Sequence, residues 1–237
     1  MLILGITTST MQVGCAIGGH EGVLASVHTS RAKRHAESLA PSIDFLSRQA
    51  RVGLDEIGCV AVDVGPGLFT GLRVGIATGK AMAHALRVPM IGVASLDLVA
   101  FPVRFSPRLV VVAIDARRGE VFSASYRQVP GGIQRLGPAI ACSPDDLAGD
   151  LVATGEEVLL VGDGALRHHE AFADLGQVEI GDHGLAHPSA ASLVQLAHAQ
   201  ALREEFVLPS DLEPVYLRKP DAEVNWSTRE TAPRAGA

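Results

Sequence analysis

Residues 65–86 read GPGLFTGLRVGIATGKAMAHAL, a glycine-proline turn running into a helix whose glycines fall at Gly71, Gly75 and Gly79, with Ala83 next in the row. Positions four apart share one helical face, so these four residues form a smooth stripe. A glycine inside a helix costs roughly 1 kcal/mol relative to alanine, so about 3 kcal/mol stands against this helix unless close packing offsets it. Small residues let a second backbone approach and gain dispersion contact along the seam. Arg73, Lys80 and His84 exclude a lipid setting for that seam. Two readings follow: a helix laid on its own sheet, or a helix built to dock on a partner. Both can hold on opposite faces, and the sequence leaves open which face points outward.

Working outward, Val60 to Val64 is an apolar strand feeding the turn, and Pro89 to Val93 a short strand after the helix. Towards the N-terminus, Leu2 to Ile6, Val13 to Ile17 and Val23 to His28 form an antiparallel meander, turned at Gly18 and Gly19. Between meander and turn, Leu39, Ile43 and Leu46 recur at helical spacing over Ala36 to Gln49. Glu37 and Arg48 sit at the ends that suit the helix dipole. Leu96 to Phe101 adds a turn or two of helix before Pro102.

The pattern then repeats. Leu109 to Ile114, Val121 to Tyr126 and Ile133 to Leu136 are strands, and Ser143 caps a helix over Asp145 to Leu151. Val158 to Val161 is a strand, followed by helices over Ala165 to Ala173 and Ser189 to Glu205. Each half reads β-β-β-α-β-α, an internal duplication in an α/β chain with a hinge near residues 101–108. The expected organisation is an N-terminal lobe over 1–101, a C-terminal lobe over 102–219, and a polar, flexible tail over 220–237.

The whole chain of 237 residues is 47% hydrophobic and 19% charged, enough for two cores. A net charge of −6 argues against a protein that grips nucleic acid unaided, since phosphate contacts need concentrated basic surface. Cys15, Cys59 and Cys142 lie far apart without metal spacing, as expected of reduced thiols in a cytoplasmic protein. No membrane span is expected, and the opening MLILGITTST reads as a buried strand and not a signal peptide.

Several blocks together resemble the TsaB (YeaZ) family, the bacterial accessory subunit of the machinery that makes N6-threonylcarbamoyladenosine in tRNA. They are LGITTST (4–10), HAESLAPSIDFL (35–46), VDVGPGLFTGLRVGIATGKAMA (62–83), VPMIGVASLD (88–97), AIDARRGEVFSASY (113–126) and EPVYLR (213–218). The resemblance implies the two-lobed actin-like ATPase fold. It also implies a catalytic paralogue, TsaD, and a P-loop ATPase, TsaE, as partners, or a second copy of the same chain. In that setting tRNA is met only through the complex, and ATP is used by the complex with no cofactor of the chain's own. Residues 35–50 and 70–86 then match the family's partner-facing helices. His35, Leu39, Ile43, Leu46, Gly71, Arg73, Gly75, Gly79 and Ala83 are the expected interface, and EPVYLR with the second helix the segments expected to meet TsaE.

Chemistry of its own is not expected. In the actin-like fold the first strand usually ends in an acid, where this chain has Ile6-Thr7-Thr8, and threonine brings no carboxylate to a hard cation. The second lobe keeps Asp115, followed by Arg117, Arg118, Gly119 and Glu120. Thr7, Thr8, Asp115 and Gly119 are therefore the candidates for a nucleotide, with a salt-bridged tight turn the favoured alternative. The catalytic paralogue carries two metal-binding histidines four apart just after a VPxIxV strand, and here Ser95 and Val99 take those places. His168 and His169 point about 100° apart on a helix, and His183 and His187 flank a poor helix, so neither pair is expected to hold a metal. The expected role is a non-catalytic scaffold. An actin-like ATPase or kinase, and a metallopeptidase, are the competing classes.

Overall fold

A computed structural model describes residues 1–30 and 35–218; the basic cluster at 31–34, the side chain of His35, and Lys219 with the 220–237 tail lie outside the described residues. The first lobe is built on strands β1 (Leu2–Thr7), β2 (Val13–Gly19), β3 (Gly22–Thr29), β4 (Ile57–Gly65) and β5 (Met90–Ala94), in spatial order β3-β2-β1-β4-β5. β1, β2 and β3 pair antiparallel, while β4 runs parallel to both β1 and β5. The second lobe carries β6 (Leu109–Arg117), β7 (Glu120–Val129), β8 (Gly132–Arg135), β9 (Ile140–Cys142), β10 (Val158–Val161) and β11 (Val178–Ile180). Its order is β11-β10-β6-β7-β8, the same path with β9 added against β7. Two sheets with one shared topology confirm the duplication, and the mixed three-antiparallel, two-parallel order is that of the actin-like ATPase fold.

The helices follow from the apolar periodicity. In α1 (His35–Ala50), Leu39, Ile43 and Leu46 turn inward and are buried, while Asp44 and Arg48 pair on the outer face. With α2 (Phe69–Leu86), α1 covers one face of the first sheet in a single core with Leu4, Ile6, Val60 and Val62. α4 (Pro144–Thr154) starts where Ser143 Oγ accepts the Asp146 amide at 3.1 Å and stops at Gly155, whose φ of 63° suits glycine. With α5 (Asp163–Arg167), it covers the corresponding face of the second sheet.

The other face of each sheet is covered from the opposite half. α3 (Ser95–Ala100) puts Leu96, Val99 and Ala100 into the core of the second sheet. α6 (Ala190–Leu202), capped by Ser189, lays Leu193, Val194 and Ala197 on the first. Thus α6 falls within the 102–219 span yet packs on the sheet of the 1–101 span. This reciprocal crossing locks the lobes together through buried apolar area.

Three details differ from the sequence expectation. β9 and β11 are three-residue strands too short to show alternation. The helix expected over 165–173 ends at Arg167 and continues as a 3-10 turn, His169–Ala171. α6 ends at Leu202, where Arg203 leaves helical geometry and Glu204 takes a φ of 59°. Cys15 and Cys59 are free and buried, each thiol pushed up to about 12 by burial.

Candidate functional site

The glycine row faces inward. Gly71, Gly75, Gly79 and Ala83 are all buried in α2, and added β-carbons would run into Thr8 Oγ1 at Gly75 and into Val62 Cγ1 at Gly79. Glycine is needed there because side chains of its own lobe, Thr8 after β1 and Val62 of β4, fill the space a β-carbon would take. Thr8 Oγ1 donates to the Gly71 carbonyl at 2.8 Å, and the Leu68 amide donates to the Ser9 carbonyl at 2.7 Å. The expectation that Gly71, Gly75, Gly79, Ala83, Leu39, Ile43 and Leu46 form a partner-facing surface is therefore corrected: they are spent on seating α1 and α2. Arg73 alone of the described expected set points to solvent.

Beneath this seat lies a buried polar hub. Asp63, 1% exposed at the end of β4, accepts Ser9 Oγ at 2.5 Å, Ser95 Oγ at 2.5 Å and the Gly65 amide at 3.0 Å. Burial pushes its carboxyl up to about 6, against the lowering pull of those three hydrogen bonds. The hub ties the ends of β1 and β4 to the start of α3. Ser95 is thus a partner of Asp63, and Val99 is core, so neither place aligned with the paralogue's metal histidines carries a ligand.

Two of the nucleotide candidates, Thr8 and Asp115, are engaged by neighbours within the chain. Thr7 and Thr8 are both 1% exposed. Thr8 is committed to α2, and Thr7 Oγ1 is buried with no hydrogen-bond partner among the described residues. Asp115 is held by its own lobe: its Oδ1 accepts the Arg117 amide at 2.9 Å, and its Oδ2 lies 3.2 Å from Arg117 Nη1 and 3.4 Å from Arg167 Nη1. That is the salt-bridged turn. Gly119, at a φ of 74°, sits at the hairpin tip on the rim of an open cavity of about 470 Å³ shared with Arg167 and His168. Behind it, the Asp115 amide donates to Asp163 Oδ1 at 3.0 Å, and His187 Nδ1 lies 3.8 Å from Asp163 Oδ2. Burial raises the Asp163 carboxyl and lowers the His187 imidazole from their ordinary values. Among the described residues, no group of three or more His, Cys, Asp or Glu is placed to hold a metal ion.

The outward face of α2 is a different row. Arg73, Ala77, Ala81 and Ala85 are four apart and all exposed, a shallow alanine strip on the solvent side. At its N-terminal end, the Arg73 guanidinium stands 3.9 Å over the Phe69 ring, and Tyr216 packs on Phe69 with centroids 5.3 Å apart. Arg73 Nε donates to Tyr216 Oη at 3.4 Å, and Tyr216 is 40% exposed. On the neighbouring α1, Phe45 is 52% exposed. An Arg-Tyr-Phe cluster beside a flat strip has the composition of an interface centre. The strip was legible in the sequence as a second i, i+4 row. Tyr216 lies in the EPVYLR segment singled out with the second helix above, but its packing beside Arg73, 143 residues away, came only with the fold.

Residues 22–226 match the family described as TsaD, tRNA N6-adenosine threonylcarbamoyltransferase. An uncharacterised protein of Mycobacterium leprae is 37% identical over 225 residues; the match takes in 93% of this chain, which spans about half, 56%, of that protein. A shorter uncharacterised protein of Mycobacterium tuberculosis is 36% identical, with 93% of each chain covered. The tRNA threonylcarbamoyladenosine biosynthesis protein TsaB of Bacillus subtilis is 28% identical, covering 95% of this chain and 98% of its own. A crystal structure from Pseudomonas aeruginosa, described as an uncharacterised protein with similarity to the peptidase YeaZ, superposes with a TM-score of 0.81 at 27% identity. It covers 92% of this chain and 99% of that one.

Proposed function

Because the chain belongs to the TsaB (YeaZ) family, within the wider TsaD family, we propose that it serves tRNA threonylcarbamoyladenosine biosynthesis as a non-catalytic subunit. Its contribution is binding energy. The outer face of α2, centred on Phe69, Arg73 and Tyr216 and extended by Ala77, Ala81 and Ala85, docks on a TsaD-type catalytic chain and favours its productive state. The observation that carries this reading is the division of α2 into two rows. One is consumed by the chain's own sheet, and the other is left as a smooth strip with an aromatic-guanidinium centre.

The chemistry of the interior supports a subunit and not a solitary enzyme. Asp115 is neutralised by Arg117 and Arg167, Thr8 is engaged with Gly71, and Ser95 with Asp63. ATP turnover belongs to the partners, including a TsaE-type ATPase, and tRNA is reached through the assembly. Purified chain mixed with a TsaD-type partner gives a complex by size-exclusion with light scattering, and tRNA modification rises with added chain until the two are equimolar. Brisk ATP hydrolysis or peptide cleavage by the chain alone, or modification indifferent to its presence, contradicts the proposal.

A further inference from the structure

Residues 212–218 run across both lobes. Leu212 is buried in the first-sheet core with α1 and α2, and the Val215 amide donates to the Val64 carbonyl of β4 at 2.7 Å. Tyr216 then packs on Phe69 of α2. Leu217 joins the core of the second sheet, and Arg218 Nη1 donates to Glu120 Oε2 at 2.6 Å. Glu120 opens β7 directly after Arg117, Arg118 and Gly119, three successive residues with φ of 65°, 57° and 74°. Two arginines in left-handed geometry make that hairpin a strained element held in place by its surroundings.

The middle of the segment is thinly held. Val215 and Tyr216 are each 40% exposed and, among the described residues, are secured by one backbone hydrogen bond, one tilted ring contact and the long bond from Arg73. Ordering a stretch of chain costs backbone entropy at every residue, which those few contacts cover only if both ends are fixed. Leu212 fixes one end to the first lobe. Leu217 and the Arg218–Glu120 pair fix the other to the second.

We propose that residues 212–218 are a tie through which the second lobe's Arg117–Glu120 hairpin sets the Phe69–Arg73–Tyr216 patch on α2. A shift of that hairpin is transmitted along the segment and loosens Tyr216 from Phe69. The consequence for partner binding rests on the docking reading above; the tie itself does not.

The test uses the full chain with Arg218→Gln, Glu120→Gln, the double variant, and the swapped pair Arg218→Glu with Glu120→Arg. Amide hydrogen exchange at Val215 rises several-fold in each single variant, no further in the double, and returns towards the starting value in the swap. Unchanged exchange in both single variants, or effects that simply add, overturns the tie. A second arm measures affinity for a TsaD-type chain with Tyr216 intact, and a several-fold loss in the single variants is expected. Loosened exchange with unchanged affinity overturns the coupling to the patch. Failure of the unaltered chain to bind that partner overturns the docking reading and leaves the exchange result to judge the tie.

Discussion

Gly75→Ala separates the two rows of α2. On an exposed helix the change would stabilise the protein by up to about 1 kcal/mol through propensity. At Gly75 the new methyl instead occupies the space of Thr8 Oγ1, which is held by its bond to the Gly71 carbonyl. Moving Thr8 forfeits roughly 1 kcal/mol of hydrogen bond and leaves a buried carbonyl short of its partner. Overpacking against the end of β1 adds about 1–3 kcal/mol. Setting the propensity gain against these losses gives a net destabilisation of about 2 kcal/mol, readable as a lower urea midpoint at unchanged slope. A bulkier Gly75→Leu, with its whole side chain directed into the sheet, leaves no folded monomer. A Gly75→Ala variant as stable as the parent, or more so, would refute the inward seating.

The outer row behaves oppositely: Ala81→Glu shifts stability by no more than about 0.5 kcal/mol, since it lies on the exposed face, yet abolishes co-elution with a TsaD-type chain. Tyr216→Ala weakens the same association by about 2 kcal/mol, measured by titration calorimetry, as expected for truncating a hot-spot tyrosine. Asp63 supplies a pH signature. Its carboxyl sits at about 6 in the folded chain against an ordinary 3.8, so its favourable contribution is complete below pH 3.8 and is lost as pH rises through 6. The shift corresponds to on the order of 3 kcal/mol. Relative to the parent, Asp63→Asn therefore gains stability as pH is raised from 4 to 7 in paired denaturant titrations. A difference flat across that range would remove the buried charge from the account.

Much of the fold was legible because both repeats write it in apolar periodicity: LILGI and VVVAI open the two meanders, and Ser143 and Ser189 mark helix starts through their capping oxygens. The crossing of α3 and α6 to the opposite sheets was not, since periodicity says that a face is buried but not against what. The same gap misdirected the interface. A glycine row and an alanine row both predict close approach, and only the position of Thr8 and Val62 shows that the glycine row meets the chain's own lobe. Asp63 was hidden inside the strand reading VAVDV, where a single acid gives no hint of the two serines, 54 and 32 positions away, that satisfy it. The salt-bridged state of Asp115 was readable from the arginines two and three positions on, although the contribution of Arg167 came only with the fold.

The most direct test of the account is threonylcarbamoylation of tRNA by a reconstituted mixture of this chain, a TsaD-type chain and a TsaE-type ATPase, comparing the parent with Ala81→Glu. A folded Ala81→Glu chain that no longer supports modification, while the parent restores it in equimolar proportion, is the predicted result. Full modification with Ala81→Glu would contradict the claim that the outer face of α2 is where this protein does its work.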